Sequence, residues 1–386
     1  MNIKEIRNYL ITNKLDAWVI YDYECTNPSL IGLIGKRMLT RKCFFVFACD
    51  DEYVICHKLD EVILADLKLK RYVYKTWIEL DELLELKLKK YHNVMMEMTE
   101  DGTLPGASYV DYGTIMKIKG LGLNVSSSKD LLQYFSARVV GKSLLLQKEA
   151  CKECLIIKDQ AFKLISDTIK EKGAISEFTV QEFIMEEFKK RNMVTDSAPI
   201  VAIAKNSKNP HYAPTKEHTA IIKKGDLVLI DLWAKIDDDE AAFGDTTWMG
   251  FVGDDIPPKY QAAFEVVCDA IKHTVMFLNE ELPKRVVYGY EVDDVCRKYI
   301  ASYGYGDYFI HRTGHSISIA ESSHGKGVNI DNFESHDTRA LINNIGFSLE
   351  PGIYTDEFGI RVEIDVYIDN NKAICLIPIQ EEIIKL

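Results

Sequence analysis

Apolar residues recur at three- and four-residue spacing over Ile3 to Asn13, the mark of an amphipathic helix. Asp16-Ala-Trp-Val-Ile-Tyr-Asp22 follows as a short, nearly continuous apolar run, the pattern of a strand buried on both faces. Cys43-Phe-Phe-Val-Phe-Ala-Cys49 and Tyr53-Val-Ile-Cys56 flank an Asp50-Asp51 turn and predict a hairpin. The pattern changes over Val139 to Ser143, and Gly141-Lys-Ser reads as a junction. That divides the chain into a smaller α/β domain, residues 1–142, and a larger one, residues 143–386. Beyond the junction, Leu146, Ala150, Cys154, Ile157, Ala161, Leu164 and Ile165 mark a long helix ending near Gly173. Thr179-Val-Gln-Glu182 has the form of a capping box opening a helix through Phe183 and Phe188. Two more helices are predicted, Lys259 to Leu282 after Pro257-Pro258, and Val292 to Tyr303 before Gly304. Strand-like segments lie between and after these, so the fold class is α/β, of the α+β kind.

Composition narrows the classes of function. The 386 residues carry 47 basic against 59 acidic side chains, a net charge of −12. That balance argues against nucleic acid as a partner, because phosphate binding rests on clustered Lys and Arg. It argues equally against an anionic membrane surface. No run reaches the ~18 apolar residues of a membrane helix. The first residues, Met-Asn-Ile-Lys-Glu-Ile-Arg-Asn, are charged where a secretory signal needs an apolar stretch. Nine scattered cysteines read as reduced thiols, and the expected location is the cytoplasm. Cys151-x-x-Cys154 lacks the second pair that a zinc site needs, so both are expected to pack inside a helix.

Two segments break the rule that strands avoid acidic residues. Asp226-Leu-Val-Leu-Ile-Asp231-Leu-Trp-Ala-Lys-Ile236 and Ala241-Ala-Phe-Gly-Asp245-Thr-Thr-Trp-Met249 surround the turn Asp237-Asp238-Asp239. Folding that hairpin about Asp238 places Asp231 directly opposite Asp245. Like charges so paired are destabilising. The second segment repeats the anomaly. Phe347-Ser-Leu-Glu350-Pro-Gly-Ile-Tyr354 and Gly359-Ile-Arg-Val-Glu363-Ile-Asp-Val366 flank Thr355 to Phe358, and folding there sets Glu350 against Glu363. Two hairpins carrying facing carboxylates inside apolar strands imply a cage for divalent cations, which take hard oxygen ligands.

Histidines in suggestive company complete the picture. His311-Arg-Thr-Gly-His315 follows Tyr308-Phe-Ile, read as a strand end. His324 opens His-Gly-Lys-Gly, a flexible loop, and His211 lies in Asn209-Pro-His-Tyr-Ala-Pro214 between two prolines. Beside a carboxylate cage, an imidazole ligand and proton-transferring histidines are expected. His57, His92, His218, His273 and His336 have no such context.

These motifs resemble the pita-bread metallopeptidases, the family of Xaa-Pro aminopeptidases, prolidases and methionine aminopeptidases. The likeness is strong from about residue 145 to 386. Over the first 140 residues it is a weaker likeness to the creatinase-type N-terminal domain. The family's metal ligands run Asp, Asp, His, Glu, Glu, and the matching residues are Asp231, Asp245, His315, Glu350 and Glu363. Glu-Pro-Gly follows at Glu350, and Arg361 stands two before Glu363. The resemblance implies a curved, mostly antiparallel sheet covered by helices, with the smaller α/β domain limiting the cleft to short peptides. It implies two divalent ions, with manganese favoured by four carboxylates and one imidazole over cobalt, zinc or iron. It also implies roles for His211, His311 and His324 in substrate binding and proton transfer, for Glu350 as proton shuttle, and for Arg361 in substrate binding. A homodimer is a further family expectation.

The chain departs from the family in places. Trp233 stands where glycine is usual, Trp248 where arginine is common, and the His315 to His324 spacing is longer. The two aspartates are also further apart, the extra residues falling in the 237–239 turn. The function so implied is an Xaa-Pro aminopeptidase, with an Xaa-Pro dipeptidase or a non-catalytic peptide-binding module as alternatives. A serine hydrolase finds only a near miss at Gly314-His-Ser-Ile-Ser318, which lacks the final glycine of Gly-x-Ser-x-Gly. A metal-free C–N hydrolase on the same scaffold has no need of five retained ligands.

Overall fold

A computed structural model describes residues 3–386 of the chain. It divides into two compact units, residues 1–136 and 137–386. The first is built on a six-stranded sheet. From edge to edge its strands are Lys70–Tyr74, Glu52–His57, Cys43–Ala48, Ala17–Asp22, Asn93–Met96 and Asn124–Ser127. Cys43–Ala48 and Glu52–His57 form the predicted hairpin, antiparallel with Phe44 opposite Ile55. The near-continuous apolar runs arise because both faces are covered. Ala17, Val19, Tyr21, Phe44 and Val46 face Leu80, Leu84, Ile115 and Ile118 on one side. Trp18, Ile20, Phe45 and Phe47 face Ile6, Leu10 and Leu131 on the other.

The second unit carries the carboxylate motifs. Leu227–Ile236 pairs with Gly244–Phe251 on one side and with Ile200–Ile203 on the other, both antiparallel. A second sheet orders Ser316–Ile317, Gly346–Leu349, Ile364–Asp369 and Lys372–Cys375, again antiparallel. The small ladder Gly352–Tyr354 with Gly359–Arg361 completes that region. Helices Lys142–Lys172 and Glu177–Lys190 cover one face, packing Cys154, Ile157, Ala161, Ile165, Ile184 and Phe188 on Val228, Ile230 and Leu232. Helices Pro258–Glu281 and Gly289–Ser302 belong to the opposite cluster, which holds Leu227, Leu229, Met249 and Phe251. The long helix lies so close on the hairpin that a Cβ at Gly244 would meet Cys151 N at 2.5 Å. Gly173 ends that helix in the left-handed region, φ 83°, its N–H donating to Ile169 O.

Three local expectations change. Asp231 lies opposite Thr247, and Trp233 opposite Asp245, because the hairpin turns about Asp239 rather than Asp238. A shift of the turn by one residue moves the register by two, so both aspartates keep the same face as diagonal neighbours. The helix after Gly173 begins at Glu177 and is capped by Ser176, whose hydroxyl accepts from Thr179 N, so Thr179 is not its cap. Tyr308 ends a 3-10 turn, Gly306–Tyr308, and His311 follows in a loop rather than at a strand end. The second hairpin keeps its expected register, with Gly346 opposite Tyr367 and Gly352 opposite Arg361. Glu350 and Glu363 fall where that ladder is interrupted. Their backbone N–H groups turn away from each other, to Thr313 O and Thr247 O.

Candidate metal centre

Alternation along the hairpin builds the floor of the site. Leu227, Leu229, Asp231 and Trp233 share one face, as do Phe251, Met249, Thr247 and Asp245 across from them. That face is apolar at one end and acidic at the other. The acidic end opens into a cleft of about 880 Å³ whose lining includes Asp231, Asp245, His315, Glu350 and Glu363. Oxygens of Asp245 and Glu363 and a nitrogen of His315 lie within 4.8 Å of one another. His315 Nε2 stands 3.6 Å from Asp245 Oδ2 and 3.5 Å from Glu350 Oε1. Asp231 Oδ2 pairs with Arg361, while its Oδ1 is buried with no hydrogen-bond partner.

The electrostatics show how costly this gathering is. Burial first, then neighbouring acids, pushes Asp245 up to about 7 against the pull of His315. Burial and Asp245 raise Glu363 well above the usual carboxylate range. Asp231 is raised by burial despite Arg361. Burial acts upward on Glu350 too, but the positive charge of His315, His311 and Arg361 outweighs it and leaves the group lowered. His315 is raised, since Asp245 and Glu350 outweigh the downward effect of burial. Its Nδ1–H donates to Ser316 O at 3.1 Å, which turns Nε2 toward the carboxylates, the atom a bound cation would take in place of a proton. A histidine that binds a metal gives its other N–H to such an acceptor. The orphaned Asp231 oxygen, the aimed imidazole, the buried Asp231, Asp245 and Glu363 and the partly buried Glu350 fit divalent cations.

The other predicted residues reach the same cleft by different routes. His211 lies exposed on its wall, its N–H on Asn209 Oδ1 at 3.1 Å. Buried Glu177 anchors that segment, accepting from Ile203 N at 2.7 Å, Tyr212 OH at 2.5 Å and Ala220 N at 2.8 Å. His311 donates from Nδ1 to Arg312 O at 2.7 Å and accepts at Nε2 from Tyr354 OH at 2.8 Å. Arg361 is buried. It donates to Tyr354 OH at 2.9 Å, to Thr247 Oγ1 at 3.2 Å and to Asp231. Both histidine nitrogens are therefore engaged, through a chain running Asp231, Arg361, Tyr354, His311.

His324 lies against His315, with ring centroids 4.0 Å apart and planes tilted by 33°. The positive charge of His315, with burial and Arg312, lowers its pKa to about 4, so the ring is neutral at pH 7. Arg312 donates to its Nδ1 at 3.3 Å, and a guanidinium only donates, so the ring proton sits on Nε2. Trp233, the departure at the first ligand motif, donates to Asp196 at 2.6 Å. Asp196 in turn accepts from Ser323 N at 3.3 Å and so ties the His324 loop to the Asp231 strand. Trp248 does other work. It is stacked by Lys158, 3.7 Å from its ring centre, and is not among the cleft residues.

Residues that motif reading passed over hold the ligand segments. Asp293 is fully buried, and its Oδ1 accepts Thr313 N at 2.9 Å and Thr313 Oγ1 at 2.6 Å. Arg297, paired with it at 3.0 Å, donates to His311 O at 2.7 Å and Phe309 O at 2.9 Å. Their i, i+4 spacing on a helix was visible, but their target was not. Asp293→Ala strands Arg297 and an amide, and is expected to cost about 3–5 kcal/mol in denaturant unfolding. Asp365, fully buried, accepts Asp245 N at 3.0 Å and the Cys151 thiol at 3.2 Å. Cys151 and Cys154 are buried on their helix, as expected, and all nine cysteines are free.

With this geometry in hand, the comparisons decide the family. The profile of metallopeptidase family M24 matches residues 149–370, more than half of the chain. The chain belongs to that family. As an M24 peptidase it is a hydrolase of the divalent-metal-dependent type, and its mixed α/β architecture is the pita-bread fold. It is 26% identical over 325 residues to the Xaa-Pro dipeptidase of Pyrococcus furiosus, covering 83% of this chain and 86% of the relative. In structure it is similar to dipeptidase PepE of Mycobacterium ulcerans, with a TM-score of 0.68, 18% identity, and 99% and 96% of the two chains covered. It is also similar to the X-Pro aminopeptidase of Thermotoga maritima, with a TM-score of 0.61, 20% identity, and 99% and 100% covered. Among the described residues of the M24 peptidase, no helix is long and apolar enough to cross a membrane.

Proposed function

We propose that this M24 peptidase cleaves Xaa-Pro bonds at the N-terminus of short peptides, with Asp231, Asp245, His315, Glu350 and Glu363 holding two divalent ions. The observation that carries this reading is the buried group of Asp245, Glu363 and His315, with Nε2 turned inward by the Nδ1–H···O bond to Ser316. Four carboxylates and one imidazole favour manganese. Bound there, the ions would polarise the scissile carbonyl and lower the pKa of water. Glu350, the lowered and least buried of the four acids, is an ionised base that takes the proton of the attacking water and hands it to the leaving amine. His324, neutral with its proton on Nε2, donates to the developing oxyanion, and His211 on the cleft wall orients the scissile amide. Arg361, Tyr354 and His311 hold Asp231 and the cleft wall in register. The reading also takes a homodimer from the family resemblance and a cytoplasmic setting from the cysteine usage.

Removing the residue before proline from a long peptide or from a dipeptide breaks the same bond. Relatives of this chain include an Xaa-Pro dipeptidase and a putative Xaa-Pro aminopeptidase. The test is turnover of Ala-Pro and of Ala-Pro-containing longer peptides by chelator-stripped protein with manganese returned. Metal-dependent release of alanine from either substrate is expected. Turnover of neither, with metal bound, contradicts the peptidase reading.

A further inference from the structure

Trp233 and the long segment between His315 and His324, two departures of this chain from its family, meet at one carboxylate. The Trp233 indole N–H donates to Asp196 Oδ1 at 2.6 Å, and Asp196 Oδ2 accepts Ser323 N at 3.3 Å, one residue before His324. Trp233, Asp196, Ser323 and His324 all line the cleft. None of the first three belongs to the ligand set.

The sheet is built to bring them together. Val194 lies opposite Lys235 and Ile200 opposite Asp231, so residues 195–199 face residues 232–234. The surplus makes a bulge, a device that re-aims a side chain beside an active site. Asp196 lies in that bulge and reaches both partners. Burial acts upward on it, but the bonds from Trp233, Ser322 and Ser323 outweigh burial and hold its carboxyl below the ordinary value. Asp196 is therefore ionised at pH 7, and a charged acceptor bonds more strongly than a neutral one. Lys235, two positions beyond Trp233 and on the same face of its strand, donates from Nζ to Ala320 O at 2.9 Å. One strand thus straps the 320–324 segment at both ends. Within the segment there is neither helix nor strand to fix its course.

We propose that Trp233 and Asp196 are positioning residues, which latch the 320–324 segment to the ligand-bearing strand and so hold His324 in place beside His315. The proposal rests on the oxyanion-donor role given to His324 above. A donor to a developing charge is effective only when it is already in position, and a displacement of about 1 Å can cost on the order of 10²-fold in rate.

The test uses the full-length, manganese-loaded protein and the variants Trp233→Phe, Asp196→Ala and the two combined. Trp233→Phe keeps an aromatic ring against the apolar cluster and removes the indole N–H. Each single change is expected to lower kcat for Ala-Pro by roughly 10- to 100-fold with KM held within about twofold, the pattern of an interaction made in the transition state. The double variant is expected to match Asp196→Ala, because the two residues act through one bond. Losses that multiply in the double variant, or an unchanged kcat in both single ones, overturn the proposal. So does a fall in bound manganese in step with kcat, which would mean that the pair braces the metal centre instead of the segment. Hydrogen exchange of the 320–324 amides, measured in chelator, gives a readout without turnover. It is expected to quicken on the order of 10-fold in both single variants while the strand Leu227–Ile236 keeps its protection. Unchanged exchange overturns the latch and leaves the peptidase reading standing. Quickened exchange in a protein whose wild type hydrolyses no Xaa-Pro peptide supports the latch, and the peptidase reading alone fails.

Discussion

Asp245→Asn is expected to reduce manganese-supported Xaa-Pro hydrolysis by on the order of 10³-fold or more, and at the same time to stabilise the metal-free protein at pH 8. The two effects share one cause. Asp245 is buried beside His315, and burial together with the nearby acids Asp231 and Glu350 raises it to about 7 against the downward pull of His315. A carboxylate kept there is unfavourable to the fold and useful only to a cation. Removing its charge takes one ligand from the cage, and Lewis-acid assistance is worth several kcal/mol, with ~1.4 kcal/mol per decade of rate. The same change relieves like-charge repulsion in the metal-free state. Activity assays and thermal melts in chelator check the pair. Loss of activity with no gain in melting temperature would mean that the acids do not repel one another as their burial demands.

The second large effect concerns pH. In the metal-free native state Asp245, Glu363 and His315 all have raised pKa values, so they hold protons that the unfolded chain has already released. Stability then falls as pH rises, by ~1.4 kcal/mol per pH unit for each proton held in excess. The window opens above the ordinary carboxylate range, near pH 4–5, and runs through about 7 for Asp245. Metal binding expels those protons, so its stabilisation grows over the same interval. Melting temperatures in chelator are expected to drop from pH 5.5 to 8, with a manganese-induced rise that is larger at pH 8 than at pH 5.5. At a hundred times its dissociation constant a ligand adds about 2.7 kcal/mol. A chelated protein whose melting temperature climbs toward pH 8 would contradict this account of the buried acids.

What could be read from the chain is what lies in local pattern. Asp231, Asp245, Glu350 and Glu363 stand out because acids in apolar strands violate a strong rule, and each sits within a few residues of a turn that pairs its strand. Parity survives even a misplaced turn, so Asp231 and Asp245 stay on one face although Thr247, not Asp245, lies opposite Asp231. What could not be read is what depends on distant contact. Tyr354 joins Arg361 to His311 only once a hairpin and a loop far apart in the chain are folded together. Asp293 and Arg297 look like an ordinary surface pair on a helix until the 309–313 backbone is laid across them. Ser176 caps its helix instead of Thr179 because capping depends on where the strand Ala174–Ser176 ends, and both residues suit the role by type. Arg312 lies between two histidines in the chain, but its contacts with His324 and Glu334 exist only once the loops that carry them are folded together.

The most direct test of the central claim is the metal content of the full-length protein after manganese loading and removal of excess ion. Two manganese ions per chain are expected, falling below two in Asp245→Asn. A wild-type protein that is correctly folded and retains no manganese would contradict it.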